Sequence, residues 1–102
     1  GVLAFSTPNG RGISARASRR AFLLESPPDH RTVLGPAGLR RLLARYGFRL
    51  ERIRVTGHHP ERFPGFVGRF ARSGGPASAV VLAASRLARL GDTFEAYAVK
   101  TR

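Results

Sequence analysis

The sequence predicts an α/β fold, and three patterns along the chain support this prediction. Residues 2–5 form an unbroken apolar run, which is typical of a strand that is covered on both faces. Between residues 39 and 46 the apolar side chains recur with the spacing of a helix. Residues 93–100 alternate in the manner of a strand. Strands and helices in this order indicate a sheet with helices packed against it.

The first predicted strand, Val2–Phe5, leads into a turn. Pro8 cannot donate a backbone hydrogen bond to a neighbouring strand, and Asn9 and Gly10 readily adopt a positive φ. We therefore expect an ordered turn where this strand ends.

Two helices are predicted after this turn. Residues 14–24 favour one helix with an apolar stripe, and the proline-rich residues 26–30 end it. The clearer helix starts after Gly35, has Pro36 in its first turn and ends at Gly47, which suits a left-handed cap. Its apolar stripe has the i, i+3, i+4, i+7 spacing and consists of Leu39, Leu42, Leu43 and Tyr46.

The second half of the chain predicts a strand, a long insert, a helix and a last strand. In Arg49–Thr56 the alternation changes phase near Glu51 and Arg52, which indicates a strand with one irregularity or with an exposed start. Residues 57–76 are rich in Gly, Pro and Phe and lack a clear period, so we expect a loop insert there. Residues 77–90 favour a helix, and residues 93–100 form the last strand.

The composition limits the class of protein. The chain has 102 residues and a net charge of +12, and of its 18 basic residues only Lys100 is a lysine. Without cysteine it can have no disulfide framework, thiolate nucleophile or thiolate zinc site. No apolar run reaches the roughly 20 residues that span a bilayer, so we expect a cytoplasmic protein with no membrane partner. The apolar run begins at residue 2 without an initiator methionine, which predicts that residues 1–102 are a single partial domain.

The positive charge raises the possibility of nucleic-acid binding, because arginines attract phosphate backbones. The arginines, however, are spread along the whole chain, and no recognised nucleic-acid-binding motif accompanies them. We therefore expect most of them to form a solvated face, part of which meets a missing acidic segment. A basic nucleic-acid-binding module remains the alternative.

Three histidines are the candidates for acid–base or metal chemistry. His58 and His59 are adjacent, so on a strand they would point to opposite faces, and the nearby Asp29 and Glu61 have no metal-ligand spacing. We predict no metal site. His30 precedes the main helix and is the candidate catalytic or hydrogen-bonding residue, with a histidine satisfied by the backbone as the alternative.

Several of these features together resemble a known family. They are the run Gly1-Val2-Leu3-Ala4-Phe5-Ser6-Thr7-Pro8-Asn9, the triplet Pro28-Asp29-His30, and the helix Leu39–Tyr46 followed by Gly47-Phe48 and a strand. In this order they resemble the carboxy-terminal half of class I S-adenosylmethionine-dependent methyltransferases, in particular the small-molecule types 11 and 12.

The resemblance implies a three-layer fragment of a Rossmann-like methyltransferase sheet with flanking helices. The chain would hold the last three strands, and the final one, residues 93–100, would run antiparallel between the other two. The glycine-rich loop and the acidic residue that hold the cofactor in the family have no counterpart here. S-adenosylmethionine would thus be bound mainly by a missing amino-terminal half, and this fragment alone would be inactive.

The resemblance also implies an acceptor side. Thr7, Asn9 and His30 match the family's substrate-facing loops, but for Thr7, Pro8 and Asn9 the residues favour a tight exit from the strand with an Asn-Gly turn over substrate contact. The insert could be a lid, an acceptor-binding loop or a patch packed on the missing half, through Phe63, Phe66 and Phe70. The expected partners are a small-molecule methyl acceptor and the amino-terminal half of the same domain. A non-catalytic methyltransferase-like scaffold is a further alternative.

Overall fold

A computed structural model describes residues 1–25 and 32–101 of the chain. These residues form three strands, five α-helices and one 3-10 turn, at Pro60–Arg62. In chain order the strands and α-helices are β1 (Val2–Pro8), α1 (Ile13–Ala17), α2 (Arg19–Glu25), α3 (Pro36–Arg45), β2 (Phe48–Thr56), α4 (Gly65–Arg72), α5 (Gly75–Ala88) and β3 (Thr93–Lys100).

The three strands form one sheet in the order β1-β3-β2. β3 is antiparallel to both neighbours, and its residue Ala96 lies between Phe5 of β1 and Ile53 of β2. β1 and β2 therefore run in the same direction on either side of β3. The fold is mixed α/β, and the expectation that the last strand runs antiparallel between the other two is confirmed.

The core lies between β3 and α3. The alternation predicted for β3 is confirmed, since Phe94, Ala96 and Ala98 are fully buried on one face of the sheet. Leu39 and Leu43 of α3 pack against this face. The two alanines are small, and this leaves room for the leucines over the central strand.

The predicted irregularity in β2 is also found. Leu50 pairs with Ala98 and Arg52 pairs with Tyr97, so Glu51 is left without a partner on β3. This extra residue is a bulge, and it returns Ile53 to the core face, where Leu50 also lies.

The helix predicted over residues 14–24 is instead two short helices, α1 and α2. Ser18 separates them in an extended conformation, with φ −156° and ψ 101°. Its Oγ accepts a hydrogen bond of 3.2 Å from the backbone N–H of Ala21. A serine at this position ends one helix and caps the next, which the apolar stripe alone does not reveal.

The insert also differs from its prediction, because residues 57–76 include the 3-10 turn, α4 and the start of α5. Gly68 of α4 packs so closely on the turn before it that a Cβ there would overlap the carbonyl oxygen of Phe63. On the outside of α4, the rings of Phe66 and Phe70 stack with their centroids 6.1 Å apart, and both remain exposed.

β1 is more exposed than the sequence predicts. Val2 is 73% exposed, because β1 lies at the edge of the sheet and the described helices do not cover its outer face. No helix in the described part of the chain is long and apolar enough to cross a membrane.

Candidate functional site

The carboxyl ends of β1 and β2 lie at the same edge of the sheet, because the two strands are parallel. Ligands of open α/β sheets bind outside this edge. Three segments meet there: the turn after β1, the turn after β2 at Gly57, and the turn before β3 at Gly91 and Asp92. Two concavities open beside them.

Asn9 joins the first and last of these segments. Its backbone N–H donates to the carbonyl oxygen of Asp92 at 2.7 Å, and its side-chain Nδ2 donates to the carbonyl oxygen of Gly91 at 2.8 Å. Its Oδ1 accepts a hydrogen bond of 3.0 Å from the backbone N–H of Arg11. Only 1% of the surface of Asn9 is exposed, so these hydrogen bonds hold the end of β1 in place. The contact with a methyl acceptor that the resemblance implies for Asn9 stays a prediction.

Asp92 is a residue that sequence reasoning missed. Its Oδ1 accepts from the backbone N–H of Ser14 at 2.9 Å, and its Oδ2 accepts from the Ser14 hydroxyl at 2.6 Å and from Arg62 Nη1 at 3.0 Å. The carboxylate is only 8% exposed, so these donors compensate for its loss of water. The only sequence signal is a lone acid between Gly91 and the last strand, and it does not reveal partners that are distant in the chain.

Thr7 lines an apolar groove between β1 and α3. The groove has a volume of about 300 Å³, and Leu3 and Phe5 precede Thr7 along its β1 wall. Leu34 and the exposed residue Thr32 line its other end. The predicted site residue His30 lies outside the described residues. Thr7 is therefore the one predicted site residue that the described structure places on the wall of a cavity.

The second concavity has a volume of about 620 Å³ and lies between the carboxyl end of β2 and α5. His58 lines it, and His58 Nδ1 is 2.7 Å from the hydroxyl oxygen of Ser85 on α5. Ser85 is completely buried, so it fixes the position of the imidazole ring. Sequence reasoning missed this pair, because its members are far apart in the chain.

The two adjacent histidines have different partners. His58 contacts Ser85, whereas His59 Nδ1 lies 3.4 Å from a carboxylate oxygen of Glu61. Over residues 1–25 and 32–101, no three His, Asp or Glu side chains are grouped so that they could hold a metal ion.

No protein-family model matches the chain, and comparisons with curated proteins and with solved structures also found no significant match. The features that bear on function are therefore the sheet, its two concavities and the contacts that Asn9 and Asp92 make at the edge of the sheet.

Proposed function

We propose that this chain is the carboxy-terminal part of an S-adenosylmethionine-dependent methyltransferase that acts on a small molecule, and that it shapes the acceptor pocket and one edge of the sheet. The observation that carries the proposal is the strand order, in which β3 lies antiparallel between the parallel strands β1 and β2. This order is the one that the sequence resemblance implies for the last three strands of the family.

The helix between β1 and β2 is a second support. α3 starts at Pro36, buries Leu39 and Leu43 and is followed by Gly47, whose φ is 75°. The leucine spacing and the closing glycine are features on which the resemblance depends. The leucines pack against β3, and the carbonyl oxygen of Gly47 accepts a hydrogen bond from the backbone N–H of Thr101, just after β3.

The groove beside Thr7 supports an acceptor role. Its volume of about 300 Å³ is at the lower end of ligand pockets, and its wall combines apolar side chains with the hydroxyl of Thr7. An apolar wall would hold the body of a small acceptor, and the hydroxyl of Thr7 or of Thr32, which also lines the groove, would orient it. Orientation contributes much of the rate in a transfer where the acceptor atom and the methyl group must be aligned.

The described residues do not fit the cofactor by themselves. Binding a ribose through its hydroxyls requires an available acidic side chain. The acid at this edge of the sheet is Asp92, and its carboxylate already binds Ser14 and Arg62. We derive no cofactor contact from this chain and assign that role to a preceding half of the same domain.

The decisive experiment uses the protein encoded by the complete reading frame. We expect a glycine-rich strand–turn–helix motif within about 100 residues before Gly1, binding of S-adenosylmethionine by the whole protein, and no binding by residues 1–102 alone. Isothermal titration calorimetry with S-adenosylmethionine measures the binding by the whole protein and by residues 1–102. A reading frame without that motif, or a whole protein that does not bind the cofactor, would contradict the proposal.

A nucleic-acid-binding function is the second candidate, and the outer face of the sheet favours it. Arg49, Arg52 and Arg54 lie exposed on the face that also carries Tyr97. Two of the three arginines have a nearby acid, because Glu51 binds Arg49 and Glu95 lies 3.9 Å from Arg54. These acids weaken the attraction for phosphates, so we rank this candidate second.

A salt titration with single-stranded and duplex oligonucleotides separates the two candidates. Binding through this face would weaken steeply with salt, and Arg52→Gln would reduce the slope by about one. If wild type and variant bound weakly and with the same salt dependence, the binding would be a nonspecific attraction to the net charge, and this candidate would be contradicted.

A further inference from the structure

The cavity between β2 and α5 is built entirely from described residues. Its volume is about 620 Å³, and its apolar wall consists of Ile53 and Val55 from β2 and Leu82 from α5. Three arginines line it as well, Arg54 from β2 and Arg86 and Arg89 from the end of α5. Apolar surface and concentrated positive charge therefore share one concavity.

The positive charge in this cavity is incompletely balanced. Glu95 lies 3.9 Å from Arg54, whose side chain is largely exposed, whereas the side chain of Glu95 is about one-third exposed. Within residues 1–25 and 32–101, no carboxylate forms an ion pair with Arg86 or Arg89. Arg86 and Arg89 are three residues apart at the end of α5, and like charges at this spacing repel each other. An anion bound to both would remove this repulsion.

His58 adds a positioned hydrogen-bonding group to the cavity. Its Nδ1 is engaged by the buried hydroxyl of Ser85, 2.7 Å away, so the ring orientation is held from behind. Gly57, which precedes it on the cavity wall, has a φ of 66°, and a side chain there would crowd Thr93. The turn that places His58 thus depends on a glycine.

The location also favours a ligand. The cavity begins at Thr56 and Gly57, where β2 ends, and this is the edge of an α/β sheet at which ligands bind. From these observations we infer that the cavity binds a small phosphate monoester with an apolar body. Arg86 and Arg89 bind the phosphate through their planar forks, and the apolar wall receives the rest of the molecule. The inference is independent of the proposed methyl transfer.

Phenyl phosphate is the probe for this site, with inorganic phosphate as the comparison. We expect the 102-residue chain to bind phenyl phosphate more tightly than inorganic phosphate at constant ionic strength, because only the ester uses the apolar wall. Amide chemical-shift changes should concentrate at the end of β2 and the end of α5. Equal affinity for the two probes, or shifts spread over the whole chain, would overturn the inference.

A charge-matched pair of variants tests the arginines. Arg86→Gln with Arg89→Gln should weaken phenyl phosphate binding roughly tenfold or more, because two charge-assisted hydrogen-bonding groups are lost. Arg40→Gln with Arg69→Gln removes the same charge from exposed positions on α3 and α4 and should leave the affinity nearly unchanged. An equal loss of affinity for phenyl phosphate in both double variants would mean that binding depends only on the net charge of the chain, and this would contradict the proposed site.

A conservative variant keeps the test valid if the double variant does not fold. Arg86→Lys retains the charge and loses the planar fork, so phenyl phosphate should bind more weakly while the amide spectrum of the free protein stays that of the wild type. Unchanged affinity in a folded Arg86→Lys protein would contradict the role of Arg86 in holding the phosphate.

Discussion

The backbone N–H of Asn9 donates a 2.7 Å hydrogen bond to the carbonyl oxygen of Asp92, and this contact joins the end of β1 to the residue before β3. The side chain of Asp92 extends the junction, since it also binds Ser14 at the start of α1 and Arg62 in the 3-10 turn. The early, middle and late parts of the chain thus meet at one carboxylate.

The carboxylate of Asp92 should be important for stability. Asp92→Asn keeps the size of the side chain, but replaces an oxygen that accepts from Ser14 and Arg62 by a donor. We expect the free energy of unfolding to fall by about 2 kcal/mol, measured by urea denaturation, because buried hydrogen bonds to a charged group are lost. Glu95→Gln is the control, since its ion pair with Arg54 is 3.9 Å long and the arginine is largely exposed, so the pair should contribute less than about 1 kcal/mol. Equal losses in the two variants would contradict a special role for Asp92.

Asn9 should also be important for the stability of the protein without a bound ligand. Asn9→Ala removes the hydrogen bonds to Gly91 and from Arg11, and we expect the free energy of unfolding to fall by about 1 to 2 kcal/mol. Thr7→Val is the matched control, because Thr7 lines the open groove and the change preserves its shape. If thermal denaturation showed no difference between Asn9→Ala and Thr7→Val, the structural role of Asn9 would be refuted.

The close approach of α4 to the preceding turn should tolerate only glycine at position 68. In Gly68→Ala the new methyl group would overlap the carbonyl oxygen of Phe63, so α4 must move away from the turn. We expect a loss of about 1 to 3 kcal/mol, visible as faster amide hydrogen exchange in α4.

Gly38→Ala provides the comparison for Gly68→Ala. Gly38 is also helical, but its new methyl group would meet only the side chain of Leu34, whose nearest atom is the flexible Cδ2 at 3.3 Å. Alanine favours a helix by up to about 1 kcal/mol over glycine, so this variant should be neutral or slightly more stable. If the amides of α4 were equally protected from hydrogen exchange in Gly68→Ala and in Gly38→Ala, the predicted clash at position 68 would be contradicted.

The outer edge of β1 should promote self-association of the 102-residue chain. Its neighbour β3 occupies one edge, no described strand pairs with the other, and Val2 is 73% exposed. Val2→Lys should lower the fraction of oligomer in sedimentation velocity, because a charge on an edge strand opposes pairing. Leu87→Lys adds the same charge at an 88% exposed position on α5 and should have little effect. A similar decrease of the oligomer fraction in both variants would mean that the added charge, and not the edge of β1, controls the association.

Local patterns were sufficient to predict α3, β3 and the irregularity in β2. The alternating residues Phe94, Ala96 and Ala98 form the core together with two members of the α3 stripe, Leu39 and Leu43. The other two members of that stripe, Leu42 and Tyr46, are exposed. Burial on a single face of each element explains why these predictions succeed.

Features that depend on distant residues could not be predicted from the sequence. The pairs Ser14 with Asp92 and His58 with Ser85 join residues far apart in the chain, and no local pattern links them. α4 could not be predicted from an apolar stripe facing the core, because its buried residues are the small Gly68 and Ala71 while Phe66 and Phe70 are exposed. The side chain of Asn9 binds within the turn after β1, as in the tight strand exit that the sequence leaves open, and its contact with a methyl acceptor stays a prediction.

The bulge in β2 also bears on how the length of this chain can vary. Glu51 has no partner on β3, while Leu50 before it and Arg52 after it keep their partners Ala98 and Tyr97. Deleting Glu51 would join two segments that already have the correct alternation, so the same side chains would still face α3. Related sequences can therefore lose one residue at this position and retain the same core, whereas a deletion elsewhere in β2 would reverse the faces of the strand.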